Sequence, residues 1–170
     1  AQSDRGLVMV AFDDLGDAIE ADLQARFPRA AVVEDYDGLE GTLDRIAALI
    51  DQPENDLDLA LDLRGSDFEI RVWKVLCEIP AGTTTNYGEI AARLDVPRAA
   101  REVAEACAAN ALAVVVPCHR VVKKDGSISG YRWGVWRKRA LIERERRARL
   151  LPHLGRSLDG ALYKAQEKTG

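Results

Sequence analysis

The sequence predicts a mixed α/β protein in two parts, a small N-terminal α/β subdomain and a mostly helical C-terminal subdomain. Apolar residues that recur every four positions predict amphipathic helices, and short apolar runs predict strands. The charge also changes sign along the chain: residues 1–70 carry 18 acidic and 5 basic side chains, and residues 71–170 carry 10 and 19. The resulting charges of −13 and +9 favour an anionic partner for the second part, and nucleic acid is the obvious candidate.

The N-terminal subdomain is assigned to residues 1–63. An apolar residue every fourth position from Leu15 to Phe27 predicts a helix, and Pro28 ends it. The alternation of apolar and acidic residues in "LDLALDL" is typical of a half-buried strand. The predicted elements are, in order, a strand over 7–12, a helix over 13–27, a helix over 39–50 and a strand over 57–63. The stretch "RGSD" (64–67) is the predicted boundary.

The C-terminal subdomain is assigned to residues 67–150, and residues 151–170 form a tail of unassigned role. Ser66 is the expected N-cap of its first helix. Two short helices joined by the tight turn "DVPR" predict a helix-turn-helix. The predicted elements are a helix over 67–79, the helix-turn-helix pair over 86–94 and 99–110, a buried strand over 111–116, a turn over 123–127, a glycine-flanked loop over 130–134 and a final helix over 136–150.

The motif "VVVPCHRVV" places Cys118 and His119 side by side after an apolar run. Pro117 interrupts the predicted strand there, so we expect the thiol at the end of a strand. A histidine with a carboxylate behind it is the usual means of generating a thiolate nucleophile. Because neighbouring residues of an extended chain point to opposite sides, His119 would reach the sulfur through a water or a bend. The alternative for both residues is a structural, buried role.

Glu145 is the carboxylate that we pair with His119. In the last helix it shares a face with Leu141 and Ala148, whereas Glu143 lies on the opposite, arginine-rich side. An acid within an apolar stripe needs a partner when it is buried. The alternative is an ordinary glutamate–arginine pair on the helix surface.

Two residues of the second helix-turn-helix helix are further candidates. Asn110 ends that helix, where it could be a simple cap or could tie the helix to the cysteine segment. Arg101 lies on its polar face, and the opposite face, which includes Ala100, is made of small residues that permit close approach to a partner. A long arginine there could enter a groove or replace a base in the stack; the alternative is a solvated side chain.

The cysteine content and the hydropathy of the sequence predict the cellular compartment of the protein. The three cysteines are far apart and form no CxxC pair, which suits a reducing compartment better than a disulfide framework or a zinc site. No stretch approaches the roughly 18 apolar residues of a membrane span, and no signal peptide is visible. We therefore expect a cytoplasmic location, no membrane partner and no metal or other cofactor. The start within an apolar run suggests a fragment or a processed product.

The segments "PCHRVV" and "DGSISGYRWGVWRKRALIERE" closely resemble the O6-alkylguanine-DNA alkyltransferase family, especially the C-terminal domain of Ada-type proteins. The resemblance is strong over 57–147 and collinear but weaker over 1–56. It implies an RNase H-like N-terminal subdomain and a winged-helix-like C-terminal subdomain. It also implies irreversible, single-turnover transfer of an alkyl group from O6-methylguanine, and from O4-methylthymine, in double-stranded DNA to the protein itself, which acts as a monomer.

The resemblance also implies a role for each candidate residue. Cys118 would accept the methyl group, His119 would act as the base through water, Glu145 would orient the imidazole, and Asn110 would hold the site. The helix-turn-helix would enter the minor groove, where the nucleotide is flipped out. The implied substrate and DNA contacts are Tyr87, Ala100, Arg101, Arg120, Tyr131 and Trp133, with Tyr87 on the base, Arg101 filling the gap in the stack, and Tyr131 and Trp133 at the lip of the pocket.

The sequence departs from the family pattern at three places. From the resemblance we expect the strand that normally precedes "AQSDRGL" to be missing, while Asn86 replaces a more usual serine and the tail has no counterpart. We also expect the zinc-binding regulatory region of large Ada-type members to have no counterpart in this sequence, so that any transcriptional role would belong to a longer parent protein. Two other functions remain open: a non-catalytic alkyltransferase-like protein that only binds lesions, and a cysteine hydrolase with a Cys–His–Glu triad. The first lacks the acceptor cysteine that is intact here, and the second needs an oxyanion loop that the sequence does not show.

Overall fold

The structure is a computed structural model, and it describes residues 1–12, 17–55 and 58–150. Residues 13–16 of the first predicted helix, residue 57 of the second predicted strand and the tail over 151–170 lie outside the described residues. The helices are α1 (Asp17–Arg26), α2 (Tyr36–Asp51), α3 (Asp67–Cys77), α4 (Tyr87–Arg93), α5 (Ala100–Ala109) and α6 (Val135–Leu150). The strands are β1 (Gln2–Ser3), β2 (Gly6–Leu7), β3 (Thr85–Asn86) and β4 (Val121–Val122). The predicted mixed α/β class is confirmed.

The N-terminal segment pairs with two later stretches of the chain, one at Leu61 and one at Leu112. Strands β1 and β2 form an antiparallel hairpin, after which the segment makes single parallel bridges, Leu7 with Leu61 and Val10 with Leu112. The continuous strands predicted over 7–12 and 57–63 are therefore wrong in extent. The bridge at Val10 is closed by hydrogen bonds of 2.9 and 2.8 Å with Ala111 and Ala113, and it attaches the N-terminal part directly to the chain that leads to Cys118.

Side-chain caps start α3 and α4 as the sequence requires. Ser66 accepts from the Glu69 amide while Glu69 accepts from the Ser66 amide, so both ends of a capping box are present. Asn86 forms the same box with Glu89 at the start of α4. An asparagine satisfies the orphan helix amides as well as a serine does, so the departure at Asn86 leaves the helix start intact.

The helix-turn-helix consists of α4 and α5, which pack against α3. The turn between them contains Asp95 in the left-handed region at φ 60°. Behind the pair, β3 and β4 align in parallel, with Thr85 opposite Val121. The Trp73 indole donates to the Ala106 carbonyl at 2.8 Å, which ties α3 to α5 in the core. Residues with no exposed surface mark the centre of this core: Val72, Leu76, Ile90, Val103, Val116 and Val121.

The apolar run 111–116 is a buried turn, so the strand predicted there is wrong. Val114 has φ 67°, and the Val116 amide bonds back to the Leu112 carbonyl at 3.0 Å. The Asn110 side chain organises this turn: its Nδ2 donates to the carbonyls of Leu112 and Val116, and its Oδ1 accepts from the Leu112 amide. Apolar character alone cannot distinguish a buried strand from another buried segment.

No helix within the described ranges is long and apolar enough to cross a membrane. The same residues contain no group of three or more histidine, cysteine, aspartate or glutamate side chains that could hold a metal ion.

Candidate active site

Cys118 begins a single 3₁₀ turn, Cys118–Arg120, rather than ending a strand as predicted. Its side chain is buried, and the Asn110 Nδ2 lies 3.2 Å from Sγ. Burial raises the pKa of the thiol, whereas the hydrogen bond from Asn110 and the charge of Lys138 act to lower it. The described structure shows no direct hydrogen bond between Sγ and His119, so a hydrolase-type Cys–His pair is not formed.

His119 and Glu145 are in direct contact, as the sequence predicts. The His119 Nε2 lies 2.8 Å from the Glu145 Oε1, and both side chains are buried. Burial by itself raises the pKa of Glu145, but hydrogen bonds from His119 and Arg120 outweigh it and bring the pKa to about 2. The carboxylate is therefore charged and acts as an acceptor only, so Nε2 carries the proton and Nδ1 of a neutral imidazole has a free lone pair. Nδ1 is buried and has no hydrogen-bond partner among the described residues.

Glu145 lies on the buried face of α6 with Leu141, as its spacing predicts, while Glu143 is exposed and pairs with Arg147 at 2.9 Å. Glu145 also accepts from the Gly82 amide at 3.0 Å. The loop before β3 is thus attached to the same carboxylate that holds His119.

Arg120 is buried and directed at an internal carboxylate, which does not agree with its assignment to substrate or DNA binding. The side chain is 10% exposed, and its guanidinium donates to Glu145 through Nε and Nη2 and to the Ile79 carbonyl at 2.6 Å. Its partner is an internal carboxylate, because the 3₁₀ turn directs it into the molecule toward α6.

A cavity of about 370 Å³ opens beside Cys118. Three helices, α4, α5 and α6, and the loop that follows Ser129 form its walls. Tyr131 lines it, and the Tyr131 Oη is buried without a partner among the described residues. The lining residues are Tyr87, Ala104, Cys107, Ala108, Cys118, Gly130, Tyr131, Arg132 and Lys138.

Trp133 does not belong to this lining, so its predicted place at the lip of the pocket is corrected. Its indole is 7% exposed and packs in the core, edge-on to Tyr131, with 5.1 Å between ring centroids. The loop turns the tyrosine toward the cavity and the tryptophan toward the protein. Trp133 therefore supports the wall that Tyr131 forms.

The pattern analysis missed two residues, Ser129 and Lys138. The Ser129 Oγ accepts from the Tyr87 hydroxyl at 2.6 Å and from the Lys138 Nζ at 2.8 Å. Lys138 is 1% exposed, and burial lowers its pKa. A signal was available, because Lys138 precedes Glu145 by seven residues and so lies on the same buried helix face.

Arg101 and Ala100 start α5 at the surface. The Arg101 side chain is 89% exposed and its Nε lies 3.0 Å from Glu105, while Ala100 is half-buried. One and two turns further along the helix, Ala104 and Ala108 line the cavity. The exposed arginine is thus carried by the same helix that forms one wall of the cavity.

These features define a class: a helix-turn-helix protein with a buried thiol at a cavity formed in part by its second helix. Residues 67–147 match the DNA-binding domain of 6-O-methylguanine DNA methyltransferase. A methylated-DNA–protein-cysteine methyltransferase of Mycobacterium bovis is 46% identical over 112 residues, which cover 66% of this chain and 68% of that protein. The chain belongs to the 6-O-methylguanine DNA methyltransferase family.

Two further comparisons concern a longer relative and a solved structure. The regulatory protein Ada of Salmonella typhimurium is 45% identical over 146 residues, which cover 85% of this chain but 41% of that protein, so the chain spans about two fifths of its length. The crystal structure of Mycobacterium tuberculosis OGT in complex with DNA is similar at a TM-score of 0.60 and 47% identity, over 63% of this chain and 66% of that one.

Proposed function

We propose that the protein is a DNA-repair methyltransferase that moves the alkyl group of O6-methylguanine in double-stranded DNA, and of O4-methylthymine, to its own Cys118. The observation that carries the proposal is the placement of the Cys118 thiol at a cavity bounded by the helix-turn-helix, with the buried Lys138 in its lining and the buried imidazole of the next residue, His119. The relatives are named for this reaction and one of them is described in complex with DNA.

The first step requires a thiolate, which the resting site does not favour because burial raises the pKa of Cys118. The free lone pair of the His119 Nδ1 supplies the base, through one bridging water, since no direct bond joins it to the sulfur. Glu145 holds the imidazole in the orientation that exposes Nδ1, and Asn110 fixes the sulfur from the other side at 3.2 Å.

In the transfer step the sulfur–methyl bond forms as the bond between the methyl carbon and O6 breaks. The electron pair of the broken bond stays on the guanine, which leaves as an anion and takes up a proton. Tyr87 lines the cavity and is the donor available there: its hydroxyl, which donates to Ser129 at 2.6 Å in the resting site, would turn toward the base. Lys138 donates to the same Ser129 oxygen and would keep that oxygen occupied when Tyr87 turns away. The thioether product is stable, so each molecule repairs one lesion.

The reacting atom lies within the stacked duplex, so the nucleotide must leave the stack to reach the cavity. Because α5 carries both the cavity wall and the exposed Arg101, we assign Ala100 and Arg101 to the minor-groove contact and Arg101 to the gap left by the flipped base. Tyr131 contacts the base inside the cavity.

We further propose an RNase H-like N-terminal subdomain over 1–63, a winged-helix-like subdomain over 67–150 and a separate tail over 151–170. The pairing of β3 with β4 beside the helix-turn-helix supports the second assignment. The protein acts as a monomer, since one chain supplies both the helix-turn-helix and the acceptor. Its three free cysteines favour the reducing cytoplasm.

The test is the intact mass after incubation with excess duplex that contains O6-methylguanine. We expect a gain of one methyl group per protein, located on Cys118 by peptide mapping. Cys118→Ala removes the transfer, whereas Cys77→Ala, at an exposed thiol outside the cavity lining, retains it. Methylation of Cys107, which lines the same cavity, or turnover beyond one equivalent contradicts the mechanism. If the protein binds DNA that contains the lesion but Cys118 is not alkylated, the protein is a lesion-binding member of the family instead.

A further inference from the structure

The Glu145 carboxylate serves two cationic or potentially cationic partners at once. His119 donates to Oε1 at 2.8 Å, while Arg120 donates to Oε1 at 2.9 and 3.1 Å and to Oε2 at 3.0 Å. The Gly82 amide occupies Oε2 as well. A guanidinium that donates to a carboxylate through two nitrogens forms charge-assisted hydrogen bonds, which are roughly twice as strong as those between neutral groups.

This arrangement decides how the charges of the site balance. Glu145 contributes one negative charge and Arg120 one positive charge, and both side chains are largely removed from water. With its charge already balanced, the carboxylate offers His119 a hydrogen bond but little reason to become a cation. A protonated His119 would leave the buried cluster with a net positive charge, next to Lys138, which also lies in the interior.

We propose that Arg120 is a positioning residue for the methyl-transfer reaction: by saturating Glu145, it keeps His119 as the neutral imidazole protonated on Nε2, so that Nδ1 can accept the thiol proton. The importance of this role for catalysis rests on the function proposed above, whereas the measurement on the imidazole described below does not depend on it. Without Arg120, the unbalanced carboxylate would form an ion pair with His119, whose Nδ1 would then already carry a proton.

The groups that face His119 agree with this assignment. From α6 these are Glu145 and Lys138, and from its own turn they are Arg120 and Cys118; Tyr131, from the neighbouring loop, interacts with Cys118 and Glu145. Burial lowers the pKa of His119, the charges of Arg120 and Lys138 lower it further, and Glu145 alone opposes them. The resting site therefore holds a neutral thiol beside a neutral base.

The experiment uses the imidazole itself as the probe. The sequence has two histidines, so His153→Gln in the full chain leaves His119 as the single histidine. Nitrogen-15 NMR of the imidazole then reports the tautomer and the protonation state directly between pH 5 and 8, without DNA. The variants are Arg120→Gln, Arg120→Lys and, as the matched control on the exposed side of α6, Arg144→Lys.

We expect one neutral, Nε2-protonated signal in the parent and in Arg144→Lys. In Arg120→Gln, His119 should gain its second proton at a higher pH than in the parent, and Arg120→Lys should show a smaller change because one cation remains. A parent imidazole that is doubly protonated at pH 7, or an Arg120→Gln signal identical to the parent, overturns the proposal. Should Arg120→Gln fail to fold, Arg120→Lys decides by the same criterion.

The rate of Cys118 methylation gives the functional readout. Since only a neutral His119 can accept the thiol proton, the acidic limb of the pH–rate profile should move to higher pH in Arg120→Gln, with a roughly tenfold lower rate at pH 6 and recovery at pH 8, and by less in Arg120→Lys. A uniform loss at every pH would indicate a purely structural role. Failure of methyl transfer in the parent would contradict the proposed function and leave the imidazole result standing.

Discussion

Asp22 of α1 lies 2.7 Å from Arg132, a residue that lines the cavity beside Cys118. The same carboxylate pairs with Arg26 at 3.3 Å, and the Arg26 guanidinium reaches the Ala109 carbonyl at the end of α5. One acid of the N-terminal part therefore contacts the loop directly and α5 through Arg26, and both of these elements line the cavity. Both members of the Asp22–Arg132 pair are about 30% exposed, so the contact is partly shielded from solvent.

We expect Asp22→Asn to loosen the loop that carries Arg132. Removal of the charge weakens a partly shielded pair, for which a loss of roughly 1 kcal/mol is typical. Hydrogen exchange of the Gly134 amide, which bonds to the Tyr131 carbonyl at 3.0 Å, should become faster, while exchange in α3 should not change. Asp44→Asn, at an exposed acid of α2, is the control; equal exchange in both variants would mean that Asp22 does not hold the loop.

Local sequence signals predicted the elements that are stabilised within themselves. Both helix-turn-helix helices and the face of α6 that carries Glu145 lie where the residue spacing places them, and Asn86 caps the first of the pair, α4. Caps and helical periodicity act over a few residues and can therefore be predicted from local sequence. Run 111–116 was misassigned because its turn depends on the Asn110 side chain, which bonds to three backbone groups of that run. That interaction overrides the strand preference of a valine-rich segment.

The site was predicted in part for a similar reason. Contacts along α6 follow from helical spacing, which identified Glu145. The position of Arg120 depends on the 3₁₀ turn, and the opposite orientations of Tyr131 and Trp133 depend on a loop with Gly134 at φ 99°. Neither backbone conformation follows from residue spacing, so the motif identified these residues but not what they contact.

Replacement of the buried acid should affect stability and its pH dependence together. Glu145→Gln leaves Arg120 buried without a counter-charge, for which a loss of about 3 to 5 kcal/mol in the free energy of unfolding is typical. The depressed pKa of Glu145 gives the sign: its contribution is present above the unfolded-state pKa near 4.5 and is lost as pH falls toward 2. Urea unfolding at pH 7, 4 and 3 should show a difference between parent and variant that shrinks with acidity.

The matched control is Glu143→Gln, because Glu143 belongs to an exposed pair on the opposite face of the same helix. We expect a small change in stability and no change in its acid dependence. If the two variants lose the same stability, Glu145 does not carry the buried pair.

The lining of the cavity revises the expectation for large alkyl groups. Tyr131 borders the cavity directly, whereas Trp133 packs behind it. Tyr131→Ala should therefore increase the rate with O6-benzylguanine relative to O6-methylguanine. Trp133→Gly should mainly destabilise the protein, by the roughly 3 to 5 kcal/mol of a large buried side chain. The second-order rates of Cys118 alkylation and the thermal midpoints of both variants test this. If Trp133→Gly reacts faster with the benzyl substrate without loss of stability, Trp133 does line the entrance of the pocket.

Substitution of Arg101 should affect nucleotide flipping in duplex DNA but not the methyl-transfer step itself. Because its side chain is exposed and is not part of the cavity lining, Arg101→Ala should slow repair of duplex DNA by about tenfold or more, as expected when flipping is impaired. Transfer from the free base O6-methylguanine should be unchanged. Glu102→Gln, an exposed neighbour on the same turn, is the control. Equal losses on both substrates would exclude a role in filling the stack.

The Tyr87 hydroxyl should act only on the leaving group. Tyr87→Phe removes this donor and should slow methyl transfer from O6-methylguanine DNA by roughly 100-fold. Alkylation of Cys118 by iodoacetamide should continue at the parent rate, since iodide leaves without a proton. Ser129→Ala removes the oxygen that positions Tyr87 and Lys138 together, since both side chains donate to it, at 2.6 and 2.8 Å. If the three residues act as one unit, adding Ser129→Ala to Tyr87→Phe should cause little further loss.

Lys123→Gln, at an exposed lysine of the 123–127 turn, should match the parent with both reagents. Equal slowing of both reagents in Tyr87→Phe would mean that Tyr87 shapes the site around the thiol and does not protonate the departing base.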